Sequence, residues 1–84
     1  MTTEELKGLE IGKLVDARGT ACPGPLLDAK RAIGECPLGE VMELQSSDSG
    51  TQIDIQRWCK KLGHDFLGVI ERDGFWSIYL RKNK

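Results

Sequence analysis

The sequence has no excess of either charge: twelve Lys and Arg stand against thirteen Asp and Glu in 84 residues, a formal net charge of -1. That balance excludes the strong basic field on which non-specific nucleic-acid binding depends. No stretch approaches the ~20 consecutive apolar residues of a membrane span. The opening "MTTEELKGLE" is acidic and polar, without a basic start or an apolar run, so a cytoplasmic setting is expected. There is a single histidine, His64, and no CxxC or HxxxH spacing; a zinc site needs three or four converging ligands, and neither a metal nor a cofactor is expected. Walker and Rossmann glycine loops are also missing. Cysteine is scarce, at three residues, and an odd number without a secretion signal argues for reduced thiols over a disulfide framework. A chain this short forms one domain that buries only ~60% of its unfolded surface, so chemistry is expected at the surface, completed by a partner.

The apolar pattern nevertheless places the elements. Residues 1–12 show no clear period and read as a loose or short helical lead-in. "KLVDA" (13–17) reads as a strand ended by Arg18-Gly19. From Pro23 onward Leu26, Ala29 and Ile33 recur at helical spacing, with Lys30 and Arg31 on the wet side, until "GECPLG" ends the helix. "EVMELQS" alternates, placing Met42 and Leu44 on one face and Glu43 and Gln45 on the other. A second helix follows, with Ser, Asp and Thr as N-cap candidates, a stripe of Ile55, Trp58, Cys59 and Leu62, and Gly63 as a left-handed stop. Asp73-Gly74 then joins two antiparallel strands whose expected inward residues are Phe66, Ile70, Trp76, Ile78 and Leu80. The order β-α-β-α-β-β predicts an α+β two-layer sandwich: a four-stranded mixed sheet with both helices on one face and the other face more open to water or a partner.

The three thiols differ. Cys59 lies on the apolar stripe of the second helix and reads as a small buried hydrophobe. Cys36, before Pro37, reads as a semi-exposed spectator, and His64 as a histidine of a surface turn. Cys22 stands at the start of the first helix, where free N–H groups and the macrodipole favour an anion and can lower a thiol pKa from ~8.5 by one or more units. It is either a reactive thiolate or a structural helix cap. Helical rise separates Cys22 from Cys36 by roughly 20 Å and sets Cys59 ~12 Å deeper than Cys22, against a disulfide limit of ~7 Å between Cα atoms. A redox sensor with an internal resolving cysteine is therefore disfavoured.

With Cys22 as N-cap, Pro23 is the first helical residue and Pro25 the third, where a missing N–H removes no intrahelical bond. Both rings stiffen the helix start, and Pro23 pushes Cys22 toward extended geometry. The amides left to face sulfur would be those of Gly24 and Leu26, with Gly24 adding no side chain to shield it. This arrangement suits an anionic sulfur or a persulfide approached from outside.

The run Asp16-Ala-Arg-Gly19-Thr-Ala-Cys22-Pro23-Gly24-Pro25 resembles the D-x-x-G-x-x-C-P-x-P signature of the TusA (SirA-like) family, and the element order from residue 13 to the end is similar to that family's fold. The resemblance implies a sulfur carrier domain over 13–84. It implies that Cys22 accepts sulfane sulfur as a persulfide from a donor such as a cysteine desulfurase or a rhodanese, then passes it to a cysteine of an acceptor protein. Pro23 and Pro25 would shape the helix start, Asp16 and Gly19 would hold it, and Cys59 would match a second, non-carrier cysteine found in some members. Gly24 falls on the variable position. The family's destinations include tRNA thiolation, molybdenum cofactor maturation, sulfur oxidation and, as a further candidate, selenium handling. Persulfide-transfer half-reactions are implied, not a stand-alone multi-turnover enzyme. From the charge balance and the apolar pattern no direct nucleic-acid or membrane contact is expected, and the protein is expected to be monomeric outside its complexes. The alternative is an interaction or regulatory module in which Cys22 is only a cap.

Overall fold

The computed structural model describes residues 2–21 and 23–84. The elements run α1 (Thr3–Lys7), β1 (Ile11–Asp16), α2 (Gly24–Ala32), a short 3-10 turn (Ile33–Glu35), β2 (Val41–Ser46), α3 (Thr51–Leu62), β3 (Asp65–Glu71) and β4 (Trp76–Arg81). The strands make one sheet in the order β1-β2-β4-β3, with β1 and β2 parallel and the other pairs antiparallel. Met42 and Leu44, on one face of β2, join Ile78 and Leu80 of β4, Ala29 and Ala32 of α2, and Ile55, Trp58 and Cys59 of α3 in a single core. The mixed sheet with both main helices on one face is thus as expected. None of the helices described is long and apolar enough to cross a membrane.

Gly63 ends α3 in the left-handed region at φ 84, and the amides of Gly63 and His64 both donate to the Cys59 carbonyl. At the other end of α3 the N-cap is Gly50, with no side-chain cap. The expected capping residues act one step away. Asp48 Oδ1 accepts the Gly50 N–H at 2.8 Å, while Thr51 is the first helical residue and shares a buried hydrogen bond with Ser46 at 2.9 Å. Leu62, expected on the buried stripe, is 44% exposed.

The hairpin turns at Asp73-Gly74 with Gly74 at φ 83 and the Arg72 N–H donating to Phe75 O. Phe66, Ile78 and Leu80 face the helices, and Trp76 at the sheet end is half-buried. Ile70, however, faces the opposite side, contrary to expectation. The register shifts between Phe66 and Gly68, where a bulge adds one residue to β3. One added residue inverts the side-chain alternation beyond it, so Val69 packs against the helix-side core and Ile70 joins Leu6, Val41 and Tyr79 behind the sheet.

That second cluster qualifies another expectation, for the far face of the sheet, though the more open of the two, is covered in part. The lead-in folds into α1, closed by a reciprocal capping box in which the Glu5 N–H donates to Thr2 Oγ1 and the Thr2 N–H to Glu5 Oε1. Five residues are too few to hold a helix in water alone, so α1 depends on seating Leu6, 2% exposed, over Val41, Ile70 and Tyr79. Gly68 makes the seat possible: its φ is 151, and a Cβ there would lie 3.0 Å from Leu6 Cδ1. Beyond α1 the same face is polar, with Arg72 donating to Ser77 Oγ and to the Tyr79 hydroxyl.

His64 is buried, not a surface histidine, because the C-terminal residues fold over it. Its Nδ1 accepts the Asn83 N–H at 3.2 Å and its ring meets Trp58 edge-on at 5.6 Å. Burial, reinforced by Lys82 and Lys84, pushes its pKa below the ordinary 6.5, against a smaller opposing effect of Asp65.

Two outcomes follow. Leu6→Ala should lower the unfolding free energy by about 2–4 kcal/mol in urea, whereas truncating Leu38, 68% exposed, should change it by less than about 0.5 kcal/mol; equal effects would mean that α1 does not dock. His64 contributes stability as a neutral acceptor, fully present above the unfolded pKa of 6.5 and lost as pH falls below it, because the unfolded chain takes up the proton first. Wild type should therefore lose stability on acidification below that pH by up to about 1.4 kcal/mol per pH unit, and His64→Gln should lack this component.

Candidate functional site

The strand β1 ends at Asp16, and the loop after it is fixed from both sides. Asp16 Oδ1 accepts the Arg18 N–H at 3.1 Å and Arg18 Nε at 2.9 Å, and its Oδ2 accepts Nη2 at 2.9 Å. The Arg18 guanidinium, followed by the Arg18 backbone amide, lowers the Asp16 pKa to about 2. The same guanidinium lies over the Phe75 ring, 4.9 Å from its centre, so the loop is tied to the β3–β4 hairpin by a cation–π contact. Ala17 is buried, and its N–H donates to Gln45 O, extending the parallel pairing by one residue. Gly19 turns at φ 84 and its N–H donates to Ser47 Oγ at 2.9 Å, linking the loop to the one after β2. Thr20 Oγ1 donates to Ala17 O at 2.6 Å.

Cys22 lies outside the described residues. The residues after it shift the expected helix frame by one position: Pro23 is the N-cap, at φ -94 and ψ 12, Gly24 is the first helical residue and Pro25 the second. Neither proline removes an intrahelical bond in this frame, and the Pro23 carbonyl accepts the Leu27 N–H. The clash that disfavours helical geometry before proline involves the preceding Cβ, which Gly24 lacks. Two expectations about Gly24 change. Its amide is not free to face sulfur, since it donates to Ala21 O at 2.8 Å. The space beside it is also filled, because a Cβ there would lie 3.1 Å from Thr20 Cβ. Pro25 is buried and Leu26 packs at the edge of the helix-side core, so the first turn is anchored from below.

Beside this turn an open polar cleft is lined by Gly19, Thr20 and Ala21 from one loop and Ser47, Asp48 and Ser49 from the other. Asp16, Gly19, Pro23 and Gly24 therefore lie on one continuous loop and helix start, with Pro25 and Leu26 beneath it. Sequence reasoning missed Phe75 and Ser47. Both reach the loop through tertiary contacts, and the Asp16–Arg18 pair, although local, was not anticipated either.

The other two thiols are elsewhere and are inert by environment. Cys36, expected to be semi-exposed, is 2% exposed, with Sγ 3.6 Å from Pro37 O and 3.8 Å from Glu40 O. Burial pushes its pKa up. Cys59 is buried in the helix-side core as expected, and burial, aided by Asp65, pushes its pKa up to about 11. A thiol held protonated and covered is a poor nucleophile.

A family model described as sulfurtransferase TusA matches residues 13–82. A candidate sulfur carrier protein of Archaeoglobus fulgidus is 41% identical over 71 residues, 84% of this chain and 97% of that protein. The sulfur carrier protein TusA of Pseudomonas entomophila is 34% identical over 68 residues, covering 81% of this chain and 85% of its own length. A crystal structure of a SirA-like protein from Desulfitobacterium hafniense superposes with a TM-score of 0.74 over 86% of this chain and 99% of that one; at 23% identity the likeness is one of fold.

Native-state alkylation checks the burial of the two inert thiols. Peptide mapping after iodoacetamide treatment should find Cys36 and Cys59 unmodified in folded protein and fully modified in guanidinium. Labelling of either at the rate of a free thiol would contradict the packing described.

Proposed function

The chain belongs to the TusA family of sulfurtransferases, and on that premise we propose that it carries sulfane sulfur as a persulfide on Cys22, between a donor protein and an acceptor protein cysteine. The Cys22 thiolate attacks the outer sulfur of a donor persulfide of the cysteine desulfurase or rhodanese type. The donor's S–S bond breaks, its thiolate leaves, and Cys22 holds the transferred sulfur. An acceptor thiolate then attacks that outer sulfur and Cys22 leaves as thiolate. Each step exchanges one S–S bond for another, with no external oxidant or reductant. The reading includes a cytoplasmic setting and a protein that is monomeric outside its complexes.

The observation that carries the proposal is the division among the thiols. Cys36 and Cys59 are buried with raised pKa values, which leaves Cys22, within the C-P-G-P run of the matched region, as the candidate nucleophile. Its neighbours support the role. Proline at the second helical position and the loop bonds of Asp16, Gly19 and Thr20 fix the chain on either side, which reduces the entropy lost when a partner thiol must be met in line. The amino-terminal end of α2 also favours an anion.

Intact-mass spectrometry tests this directly. After incubation with polysulfide, and separately with a cysteine desulfurase and cysteine, wild type should gain the mass of one sulfur atom, reversible by a reducing thiol. Cys22→Ser should gain none. Retention of the adduct in Cys22→Ser would place the sulfur on another residue and end the proposal.

A further inference from the structure

The sequence places cations in two separate runs, Lys30-Arg31 and Lys60-Lys61, and the fold brings them together. Strands β1, β2 and β3 all point the same way, so α2 and α3, which return between them, run parallel and end side by side. Between those ends is a groove lined by Ile33, Trp58 and Leu62 and flanked by Lys30 and Lys61. Its apolar lining is partly open: Leu62 is 44% exposed and Ile33 half-buried. Both lysines are exposed, and among the described residues neither has an ion-pair partner, whereas the adjacent Arg31 is paired with Asp28. Cations in a last helical turn complement the macrodipole, which accounts for their sign. It does not account for an uncovered apolar strip between them.

We infer that this groove docks an acidic segment of a partner protein, which seats one large apolar side chain between Ile33, Trp58 and Leu62 and sets carboxylates against Lys30 and Lys61. An apolar anchor ringed by complementary charge is the usual economy of small interfaces, with the anchor giving affinity and the charges giving orientation and encounter rate. A nucleic acid fits less well, since the chain is net negative and Trp58, only 7% exposed, lines the groove with too little open ring for a base to stack on. The groove lies a helix length, roughly 14 Å, from the start of α2. A partner held there leaves the region of Cys22 open to a reacting thiol. The inference rests on the sulfur-carrier reading only in assigning the segment to a donor or acceptor protein.

The test titrates isotope-labelled full-length protein with a synthetic peptide rich in Asp and Glu around a single leucine, read by amide and Trp58 indole NMR shifts. Saturable shifts should centre on Lys30, Ile33, Trp58, Lys61 and Leu62. Affinity should fall about tenfold in Lys30→Glu/Lys61→Glu, and by a similar factor when the peptide leucine becomes alanine. It should weaken with added salt and be unchanged in Lys7→Glu on α1. No saturable shift, shifts centred on another face, or full affinity in the double variant would overturn the inference. Polysulfide loading of Cys22 measured on the same variants separates the two readings. A chain that binds the peptide but takes up no sulfur on Cys22 refutes the relay and keeps the groove. One that loads sulfur but does not bind refutes the groove and keeps the relay.

Discussion

The parallel pairing of β1 with β2 is the constraint from which the site follows. Two parallel neighbours cannot be joined by a tight turn; the chain must leave the end of β1, cross the sheet face and return. It does so through α2, and the same geometry repeats from β2 through α3. The end of β1, the start of α2, the end of β2 and the start of α3 therefore meet along one edge. That is why Gly19 can donate to Ser47 and why a polar cleft forms between the two loops. The Asp16–Arg18 pair and its contact with Phe75 add a third support from the hairpin at the same edge. None of these contacts is large alone, but they converge on the short segment that leads into Cys22.

The two prolines and the glycine between them solve a local conflict imposed by that crossover. The loop must change direction and start a helix within a few residues, yet proline disfavours helical geometry in the residue before it. Placing Gly24 between Pro23 and Pro25 relaxes the steric part of that penalty, and placing all three within the cap and the first two helical positions costs no intrahelical bond. Burial of Pro25 then turns a stiff residue into an anchor for the whole turn.

Much of this was legible in the sequence because it is local or periodic. Met42 and Leu44 alternate with Glu43 and Gln45; Ile55, Trp58 and Cys59 recur at helical spacing; Gly63 and Gly74 stand where a left-handed residue is required. What was not legible depends on contacts between distant segments. The bulge that turns Ile70 over arises where β3 accommodates Leu6 from the far end of the chain, and its one local sign in "DFLGVIE" is the glycine inside the strand. The Cys36 and His64 environments are likewise made by Glu40, by the C-terminal residues and by the sheet beneath. The helix frame lies one residue later than the proline spacing predicts, because Ala21 O takes the Gly24 amide and moves the cap to Pro23.

The distribution of thiols and charge also fits the limits of a domain this size. On the relay proposed above, a domain of this size gives little room to enclose a reacting sulfur, so a carried sulfur would be protected only by how briefly and how selectively it met other thiols. Silence of the remaining thiols then has to be built into the fold: Cys36 and Cys59 are covered, and burial holds both protonated. Selectivity on that relay would not come from contacts around the sulfur alone, because donor and acceptor would both have to reach Cys22 through one loop and helix start. A recognition surface set apart from the thiol removes that conflict. On the docking inferred for the paired helix ends, a partner would be identified there by charge and one apolar contact, leaving the loop and helix start on either side of Cys22 free for the sulfur exchange.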